Sequence, residues 1–469
     1  MMMSRITAAI LVISGIALTP QTASAAQATM LGAGHVNSCA LTTAGGVLCW
    51  GANTYGQLGD GSRTDSNVPV AVTGLSSNVS SIATGLYHSC ALLNNGAVQC
   101  WGYNGVGQMG IGKVSDYSPP VQVSNLSGVV AIGVGMYHSC AVLATGQVKC
   151  WGNGSDGQLG NGGGGSLIPV DVLGVSGAKS LALGSNHTCA ALSNRKVQCW
   201  GNNQYGQLGN GTTTGSRTRV DVTGLTDATA ITAGLFHTCV RTSAGTAKCW
   251  GMNSSGQLGN GATTNATSPV AVTGLSGVTQ IHSSSYAAAT CAVASGGAKC
   301  WGANDNYQLG NGNNVNQALP SAVTGLAGAA SAIAIGTNHA CAIVKGGVQC
   351  WGNNTYGQHG AGNLITPPFP QNTVNLFGSA PAVTPQAISP VTSNTPVYTW
   401  KAVPGATSYN LRINGMITNY TAAQANCPDG VGLCTRTDAT LAPGSHSWQV
   451  QPVNSYGNGN WSALLQFTL

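Results

Sequence analysis

The sixteen cysteines are the side chains of this sequence with the most distinctive chemistry. Fourteen of them form seven close pairs, ten residues apart in the first five pairs and nine apart in the last two. Thiols at such positions either bind a metal ion or form disulfides. Structural zinc sites use CxxC pairs, and the sequence contains none. We therefore predict disulfides, with neither a metal ion nor another cofactor.

The turns inside these pairs change together with the spacing. If paired cysteines face each other across antiparallel strands, a spacing of ten requires a turn with an odd number of residues. Three-residue turns favour glycine as their last residue. That position holds Gly45, Gly96, Gly146 and Gly245, with Arg195 as the exception. A spacing of nine requires an even turn, and Ser-Gly or Lys-Gly then supplies two residues.

This covariation predicts seven cross-strand disulfides, because directly opposed strand residues have the separation that a disulfide needs. An eighth pair lies in a loop that contains proline and glycine, and we expect it to staple that loop. The predicted pairs are Cys39 with Cys49, Cys90 with Cys100, Cys140 with Cys150, Cys189 with Cys199, Cys239 with Cys249, Cys291 with Cys300, Cys341 with Cys350, and Cys427 with Cys434.

Each of the seven pairs belongs to a repeat that contains a Cys-Trp-Gly triplet. The tryptophans are separated by 49 to 51 residues, and such a period indicates a stacked or radial array of small units. Short apolar segments predict four strands per repeat, at 129–135, 138–143, 147–152 and 169–173 in the third. Because adjacent cysteine and tryptophan point to opposite faces, both faces of each sheet should be buried. The tryptophans are Trp50, Trp101, Trp151, Trp200, Trp250, Trp301 and Trp351.

Charged residues are scarce, at 6% of the chain, against roughly a quarter in an average soluble domain. Glutamate is absent, and the sixteen lysines and arginines are scattered singly or in pairs. Since no basic stripe follows a phosphate backbone, we predict no nucleic-acid partner. The 68 glycines favour short strands joined by tight turns over helices.

Residues 1–25 have the pattern of a secretory signal peptide. Arg5 supplies the positive charge, residues 6–18 an apolar run too short to span a bilayer, and residues 23–25 a small-residue cleavage site. No later apolar segment is long enough to cross a membrane. We expect cleavage near Ala25 and export to a periplasmic or extracellular compartment, where cysteines can pair. The mature chain should then contain no transmembrane segment.

The second repeat shows the complete motif, which recurs in register over residues 27 to 378. It reads Gly85-Leu-Tyr-His88-Ser-Cys90-Ala-Leu, then Cys100-Trp101-Gly102 with Asn104, then Gly107-Gln108-Met109-Gly110. This motif resembles the regulator of chromosome condensation repeat, in the cysteine-paired form of exported bacterial proteins. The resemblance implies an all-β fold in which residues 26–378 form a propeller of seven four-stranded blades. We expect strands from both ends of this region to close the ring.

The remaining sequence changes character after the repeats. Residues 379–385 have the composition of a linker, and residues 386–469 carry aromatic and aliphatic residues in alternating, strand-like contexts. The stretch 441–462 resembles the region around the sixth and seventh strands of a fibronectin type III domain. That resemblance implies a small β-sandwich, in which Trp448 takes the place of the family's corner tyrosine.

A histidine recurs two residues before the first cysteine in five repeats. It is replaced by Asn37 in the first repeat and by Ala289 in the sixth. A ring of inward histidines could hold a metal ion, whereas a buried histidine bonded to local backbone has only a structural role. A ligand set would not tolerate the two losses, so we favour the structural role. The five histidines are His88, His138, His187, His237 and His339.

Other motifs of catalysis or ligand binding are incomplete. Residues 107–113 mimic a GxxxxGK phosphate loop, but Val114 follows and the segment is part of the repeat. The aspartates stand singly in turns, and no glutamate is present to complete a catalytic pair. The loop 304–316 lacks the alternating acidic ligands of a strong calcium site. We therefore predict no catalytic residues, and a lyase or hydrolase is the least favoured class.

The residues just before the repeated histidine offer a candidate binding surface. They occupy the turn between the first and second strands, and three repeats place an aromatic beside an aliphatic residue there. Rigid aromatics on turns anchor protein interfaces, although filling gaps between blades is the alternative role. The candidate binding residues are Leu86, Tyr87, Met136, Tyr137, Leu235 and Phe236.

We predict from these features an exported, non-enzymatic binding or adhesion protein that recognises a protein or a cell-surface glycan. The resemblance adds two alternatives, because relatives include secreted inhibitors of beta-lactamases and a nuclear protein that exchanges guanine nucleotide on a small GTPase. An enzyme inhibitor is the second candidate, since it needs only a rigid aromatic face. Nucleotide exchange is disfavoured by the export signal and the low charge. No oligomeric state is predicted.

Overall fold

The structure, a computed structural model, describes residues 27–374 and most of the C-terminal part. The C-terminal ranges are 395–401, 408–427, 433–437, 440–454, 457–458, 462 and 464–469. The predicted signal peptide and the linker 379–385 lie outside the described residues. All regular structure in these ranges is β-strand, which confirms the all-β prediction. They contain no helix with the length and apolar character needed to cross a membrane.

The first part of the chain forms seven antiparallel sheets, each made of four consecutive strands. Blade one has β1 (Ala28–Ala33), β2 (Asn37–Thr42), β3 (Val47–Gly51) and β4 (Ser66–Ala71). Blade two has β5 (Val79–Thr84), β6 (His88–Leu93), β7 (Val98–Asn104) and β8 (Ser115–Gln122). Blade three has β9 (Val129–Val134), β10 (His138–Leu143), β11 (Val148–Gly152) and β12 (Ser166–Asp171). Blade four has β13 (Ala178–Leu183), β14 (His187–Leu192), β15 (Val197–Gly201) and β16 (Ser216–Asp221).

The remaining three blades repeat the same order. Blade five has β17 (Ala228–Ala233), β18 (His237–Thr242), β19 (Ala247–Gly251) and β20 (Ala266–Ala271). Blade six has β21 (Val278–His282), β22 (Ala289–Ala294), β23 (Gly297–Gly302) and β24 (Gln317–Ala322). Blade seven has β25 (Ala330–Ile335), β26 (His339–Val344), β27 (Gly347–Gly352) and β28 (Gln371–Asn372).

The cysteine pairs lie where the spacing places them. In every blade the paired cysteines are directly opposed on the second and third strands, and all eight predicted disulfides are confirmed. The fourth strand of the third repeat begins at Ser166, three residues before the predicted start. It does so because Ser166 pairs with Gly152 across an irregularity in the ladder.

The predicted turn types are also confirmed. The four glycines that end the three-residue turns have φ between 71° and 80°, and Arg195 adopts the same left-handed conformation at 65°. In the last two blades, Ser295-Gly296 and Lys345-Gly346 form two-residue turns with positive φ at both positions. Turn length therefore sets which cysteines face each other.

Each interface between blades is built on one tryptophan and one disulfide. The Cys140–Cys150 disulfide of blade three lies in the same buried cluster as Trp200 of blade four. The Trp200 indole Nε1–H also donates to the Gln158 carbonyl of blade three at 2.9 Å. The seven bonds, between 2.8 and 3.0 Å, join Trp50 with Gln358, Trp101 with Gln57, Trp151 with Gln108, Trp200 with Gln158, Trp250 with Gln207, Trp301 with Gln257, and Trp351 with Gln308.

The Gly-Gln-Leu-Gly loop receives this tryptophan; it reads Gly-Gln-Met-Gly in the second repeat, Tyr-Gln-Leu-Gly in the sixth and Gly-Gln-His-Gly in the seventh. In blade four the Gln207 carbonyl accepts the Trp250 indole proton, and Leu208 is buried with its N–H donated to Asn203 Oδ1. Gly209 has a φ of 68°, and a Cβ there would lie 2.7 Å from Trp250 Nε1. Only glycine combines this backbone conformation with such a close approach.

The ring closes by contact between blades one and seven, which contain the first and the last strands of the propeller. Sheet one contains only β1 to β4 and sheet seven only β25 to β28. Their interface repeats the others, because Trp50 clusters with the Cys341–Cys350 disulfide and bonds to the Gln358 carbonyl. The Ala28 N–H adds a bond to the Gly346 carbonyl at 2.9 Å. Packing between whole blades therefore replaces an exchanged strand.

The C-terminal part forms two small sheets. One sheet pairs β29 with β32, and the other orders β31, β30, β33 and β34, with β35 also on β33. Both contribute to one core that contains Tyr398, Trp400, Tyr409 and Trp448. Trp448 is fully buried, and its indole N–H has no acceptor among the described residues, so no corner hydrogen bond forms there. The strands are β29 (Val397–Lys401), β30 (Ser408–Ile413), β31 (Met416–Thr421), β32 (Leu433–Thr437), β33 (Ser445–Asn454), β34 (Gly457–Asn458) and β35 (Leu465–Thr468).

A matched pair of glycine variants tests the interface contact. Gly209 and Gly224 have nearly the same φ, 68° and 66°, but a Cβ at Gly224 meets no atom within 4 Å. We expect Gly224→Ala to lower the free energy of unfolding by about 1 to 2 kcal/mol, the cost of a left-handed alanine. Gly209→Ala should cost at least about 2 kcal/mol more, because it also displaces Trp250. Urea unfolding followed by tryptophan fluorescence measures both, and equal losses would contradict the contact.

Candidate interaction face

Two kinds of loop meet at one end of every blade. In a four-stranded meander, the turn between strands one and two and the loop between strands three and four lie at the same end of the sheet. The cysteine hairpins lie at the opposite end. We call the first end the upper face and the other the lower face. The predicted binding residues and the long loops therefore share the upper face.

Six aromatic side chains on the upper face form a continuous cluster. We call it the tyrosine patch, and its members are His35, Tyr55, Tyr87, Tyr103, Tyr137 and Tyr286. Ring centroids lie between 4.8 and 6.2 Å apart in five pairs, and the ring planes meet at 46° to 81°. Tilted and edge-to-face pairs of this kind are favoured over flat stacking. The patch draws on blades one, two, three and six.

The loops hold the tyrosines in place through an asparagine. In blade one, Asn53 Oδ1 accepts the Leu58 N–H, and its amide Nδ2 donates to the carbonyls of Ser62 and Thr64. The Tyr55 N–H donates to Gln57 Oε1 at 2.9 Å. Asn53, Gln57 and Leu58 are buried, so the loop has little freedom to rearrange. The ring of Tyr55 is thus positioned before any partner arrives.

The patch carries no formal charge at neutral pH. Burial, followed by the neighbouring tyrosines, raises the pKa of Tyr87 and of Tyr137, so both remain hydroxyl donors. Burial lowers the pKa of His35, whose Nδ1 lies 2.8 Å from Thr337 Oγ1. The patch therefore presents aromatic edges and neutral hydrogen-bonding groups.

Only part of the predicted binding set belongs to this patch. Tyr87 and Tyr137 do, whereas Phe236 contacts Tyr205 at 5.1 Å in a separate pair. Leu86 is only 3% exposed, so the prediction that it offers contact surface is wrong. The Leu86 side chain is part of the buried core.

The two aliphatic candidates on other blades are half-buried and hold neighbouring turns together. Met136 Sδ accepts the Ser185 hydroxyl of blade four at 3.1 Å. The Leu235 N–H donates to the Ala287 carbonyl of blade six at 2.9 Å. The Met136 side chain therefore contacts the neighbouring blade, as the alternative role expects, whereas Leu235 makes its bond to blade six through the main chain.

Sequence reasoning missed His35, Tyr55, Tyr103 and Tyr286. A signal was present for Tyr55, because a tyrosine stands five residues after the repeat tryptophan in blades one, four and seven. Tyr286 lies in the segment by which the sixth repeat is longer than the others. Its approach to His35, at 5.1 Å, depends on the ring bringing blades six and one near each other.

The five repeated histidines lie inside the ring, where each bonds to the next blade. His88 Nε2 lies 2.9 Å from the Ser139 hydroxyl, and that hydroxyl donates to the Gln108 carbonyl at 2.9 Å. Because the hydroxyl proton is used on the carbonyl, the histidine must donate, which places its proton on Nε2. The partner is a side chain of the next blade rather than the expected local backbone. We call this contact the histidine–hydroxyl bond.

The same bond recurs at five interfaces. The five pairs, between 2.8 and 3.0 Å, are His88 with Ser139, His138 with Thr188, His187 with Thr238, His237 with Thr290, and His339 with Ser38. Burial lowers the pKa of all five rings from 6.5 to about 3. The rings are thus neutral at any physiological pH, as a structural role requires.

The two exceptions support this reading from within the chain. Ala289 replaces the histidine of blade six, and Ala340 replaces the hydroxyl residue that would face it in blade seven. Asn37 replaces the histidine of blade one but does not bond to Ser89 of blade two, whose buried hydroxyl is left without a partner. The donor and acceptor are therefore lost together at one interface and mismatched at the other.

No metal site emerges from the described residues. They contain no group of three histidine, cysteine or acidic side chains that could hold an ion. In the loop 304–316, the Asn304 amide donates to Asn311 Oδ1 and to the carbonyls of Asn313 and Val315 at 2.7 to 3.1 Å. An N–H donor thus occupies the centre of those oxygens, where a calcium ion would need to lie.

Seven disulfide-containing blades and an interlocked ring define a seven-bladed β-propeller. The pattern described as "Regulator of chromosome condensation (RCC1) repeat" matches six segments that together span more than half of the chain. The segments are residues 44–92, 95–142, 145–191, 196–241, 245–290 and 296–343. The chain therefore belongs to this repeat family.

The family repeat is offset from the blades by two strands. The segment 44–92, for example, contains β3 and β4 of blade one and β5 and β6 of blade two. Each match joins the last two strands of one blade to the first two strands of the next. Seven blades in a row give six such junctions, and the first two strands of blade one and the last two strands of blade seven lie outside them. Blade and repeat boundaries agree once this offset is applied.

Curated relatives match over short stretches. The chain is 35% identical over 95 residues to the ultraviolet-B receptor UVR8 of Arabidopsis thaliana, which is 20% of this chain and 22% of the receptor. It is 39% identical over 89 residues to protein RCC2 of Homo sapiens, which is 19% of this chain and 17% of the relative. The matched segments span about a fifth of each relative.

Solved structures are similar over most of the propeller. Human WBSCR16 has a TM-score of 0.61 at 23% identity, covering 67% of this chain and 86% of its own. Yeast RCC1 (Prp20) bound to Kap60 has a TM-score of 0.59 at 23% identity, covering 66% and 78%. At this identity the likeness shows the fold alone, and the fold is that of the RCC1 propeller.

Two serines at equivalent positions test the histidine–hydroxyl bond. Ser139→Ala removes the acceptor of His88 Nε2–H and should lower the free energy of unfolding by about 1 to 3 kcal/mol, because a buried donor is left unpaired. Ser89→Ala is the matched control, since the Ser89 hydroxyl has no partner. It should change the free energy by no more than about 0.5 kcal/mol. Urea unfolding of both variants measures the difference, and similar losses would refute the assignment.

Acid should destabilise the folded protein through the same histidines. The folded state keeps the five rings neutral down to about pH 3, whereas the unfolded chain binds protons below about pH 6.5. Stability is therefore full above pH 6.5 and falls as the pH drops, by up to about 2 kcal/mol per histidine between pH 7 and pH 5. Unfolding midpoints of the oxidised protein at pH 7, 6 and 5 measure this effect. A midpoint independent of pH would be incompatible with buried neutral rings.

Proposed function

We propose that this chain is an exported, non-enzymatic binding protein, and that its tyrosine patch recognises the surface of another protein. The observation that carries the proposal is the patch itself. It joins five tyrosines and one histidine in continuous ring contact. Tyrosine is enriched among the residues that dominate binding energy at protein interfaces.

The loops make such an interface efficient. Tyr55 lies on a loop whose polar groups are already paired, so a partner would order few additional bonds. Association costs less free energy when the contact residues are held in place beforehand. Tyrosine adds a large contact area with only two rotatable side-chain bonds. The patch therefore has the properties of a preformed protein-binding surface.

An exposed arginine, Arg63, is hydrogen-bonded to the residue that precedes a member of the patch. Arg63 Nε donates to the Thr54 carbonyl at 2.8 Å, directly before Tyr55. Arginine is the other residue type enriched at the centre of protein interfaces. An acidic or carbonyl-rich partner surface would pair with it.

A protein partner fits the patch better than a glycan does. Sugars stack on the open face of an aromatic ring, but these rings meet each other at steep angles and are half-buried. Their edges and hydroxyl groups are suited to the mixed polar and apolar surface of a protein. A glycan remains a distinct outcome of the experiment below.

Export and a non-enzymatic role complete the proposal. The signal-like sequence of residues 1–25 and eight disulfides fit an oxidising compartment. The five repeated histidines, a residue type well suited to acid–base catalysis, are used in bonds between blades. One structural neighbour, yeast RCC1 (Prp20), is described bound to Kap60 and, in a second structure, with binding properties to Gsp1p and histones. Those partners belong to that protein, and they support only the use of such a propeller in protein binding.

A capture experiment with matched variants tests this function. The oxidised full-length protein is immobilised and exposed to cell-envelope extract and culture medium of the source organism. We expect Tyr55→Ser/Tyr87→Ser to weaken retention of the captured protein at least tenfold, because two central contact residues are lost. The control Val130→Ser/Leu173→Ser removes two exposed apolar side chains, 55% and 51% exposed, at the lower end of blade three. It should retain the partner fully.

Three results would overturn the proposal. Equal retention by both variants would place the binding surface elsewhere, provided that both variants unfold at the same urea concentration. Binding to a glycan array that the tyrosine variant loses, with no protein captured, would assign the patch to carbohydrate. Turnover of a substrate by the purified protein would make it an enzyme. If the captured protein is an enzyme whose activity falls on binding, the inhibitor alternative is the specific form of this function.

A further inference from the structure

The charged residues of the propeller are divided unevenly between its two faces. The lower face comprises the cysteine hairpins, the connections between blades and the halves of the strands that adjoin them. It carries nine lysines and arginines and three aspartates, a net charge of +6, whereas the upper half carries three cations and five aspartates, a net charge of −2. Cations that stand singly or in pairs in the sequence are therefore gathered on one face by the fold.

The three aspartates of the lower face are already engaged in ion pairs. The pairs, with N–O distances of 2.7 to 3.7 Å, are Lys149 with Asp171, Arg219 with Asp221, and Lys248 with Asp227. Arg219 Nε also donates to the Gly174 carbonyl, in the connection between blades three and four, at 2.9 Å. Among the described residues, the other six cations of this face thus have no carboxylate partner.

These six cations, which we call the cationic arc, follow the ring from blade four to blade seven. Two of them, Arg195 and Lys196, are adjacent and exposed in the cysteine hairpin of blade four. Arg241 is held by neutral groups, because its Nε donates to Thr229 Oγ1 at 2.9 Å and its Nη1 to the Thr279 carbonyl at 2.8 Å. Its charge is therefore positioned without being compensated. The members of the arc are Lys179, Arg195, Lys196, Arg241, Lys299 and Lys345.

The lower face lacks the anchors of a typical protein interface. Its hairpins and the connections between blades, within residues 27–374, contain no aromatic side chain. Aromatic residues supply most of the binding energy at protein interfaces. The arc also belongs to four separate blades, so its cations do not converge on one small anion. Charge alone therefore recommends this face to a partner.

A flat negative surface matches this arrangement. All the cysteine hairpins lie at the same end of their sheets, so a planar surface can meet the arc at once. A linear polyanion would have to bend around the ring to do the same. A bilayer that contains acidic phospholipids is planar and negative, and it attracts lysine and arginine side chains near its surface.

We propose that the lower face docks on a membrane that contains acidic phospholipids. The cations of the arc pair with headgroup phosphates, and no segment of the propeller inserts into the hydrocarbon. The upper half, with its net charge of −2, is repelled by the same surface. The protein thus rests on its lower face with the tyrosine patch directed away from the lipid. Docking requires no protein partner, so it and the tyrosine patch can fail independently.

Flotation of the oxidised full-length protein with lipid vesicles tests this docking. One set of vesicles is pure phosphatidylcholine, and in the other about one third of the lipid is phosphatidylglycerol. We expect at least about tenfold stronger binding to the acidic vesicles, because each cation near such a surface strengthens binding about fivefold. Raising the ionic strength from about 0.1 to about 1 M shortens the Debye length from about 10 to about 3 Å and should release the protein.

Two variants with the same change in net charge make the test specific to the lower face. Arg195→Gly/Lys196→Gln gives the hairpin of blade four the Gly-Gln of the blade three hairpin, so the turn should be kept. It should weaken binding to the acidic vesicles at least about tenfold. The control Lys113→Ser/Arg217→Ser removes two exposed cations of the upper half. It should bind within about twofold of the wild type.

A second pair of substitutions covers the case in which the hairpin variant fails to fold. Lys179→Ser/Lys345→Ser introduces the residues that other blades carry at the equivalent positions, Ser80 and Ser295, and should also weaken binding at least about tenfold. Equal binding to the two kinds of vesicle would overturn the proposal, as would equal losses in the lower-face and upper-face variants. Binding to soluble polyglutamate as strong as to acidic vesicles would assign the arc to an acidic polymer instead of a membrane.

Discussion

The contact between a disulfide in one blade and a tryptophan in the next is the interaction on which this structure depends. It occurs at all seven interfaces, and at each the indole N–H donates to a glutamine carbonyl of the preceding blade. The repeated loop motif suits this contact. The main-chain carbonyl of its glutamine accepts the indole proton, the glutamine Oε1 accepts an N–H of the same loop, and the last glycine lies against the indole. A single blade cannot bury its tryptophan alone, so the units are stable only as a closed ring.

The histidine–hydroxyl bond is the polar counterpart of that contact. At five blade boundaries it pairs a buried histidine with a buried hydroxyl of the next blade. The result is a core in which apolar packing, a covalent bond and a hydrogen bond act at the same interface. The disulfides also offset the weakness of blades rich in alanine and glycine, because each closes a short loop and restricts the unfolded chain. A rigid scaffold of this kind suits a surface that must be formed before its partner binds.

The sequence predicts best those features that depend on residues close together in the chain. The spacing of the cysteines and the residues of their turns predict the disulfides, the hairpins and even the left-handed Arg195, because all of them depend on residues fewer than a dozen positions apart. The seven-bladed ring follows from the period together with the family resemblance. Features that join different blades are harder to predict. His88 meets Ser139 only because blades two and three are neighbours in the ring.

The candidate site shows the same limit. Tyr87 and Tyr137 were recognised from their position before the histidine, but Leu86 has the same local context and is buried. Whether a side chain in that turn points into the core or toward solvent depends on how the next blade packs against it. Tyr286 reaches the patch only through the closure of the ring and the added residues of blade six.

The most direct test of this account is the state of the five buried histidines, because it reports on the interfaces themselves. Long-range proton–nitrogen NMR correlation on the oxidised protein distinguishes the two neutral tautomers from the charged ring. The account predicts that His88, His138, His187, His237 and His339 are all neutral with the proton on Nε2, and remain so from pH 7 to pH 5 while the protein stays folded. Protonation of these rings near pH 6.5, or a proton on Nδ1, would contradict it.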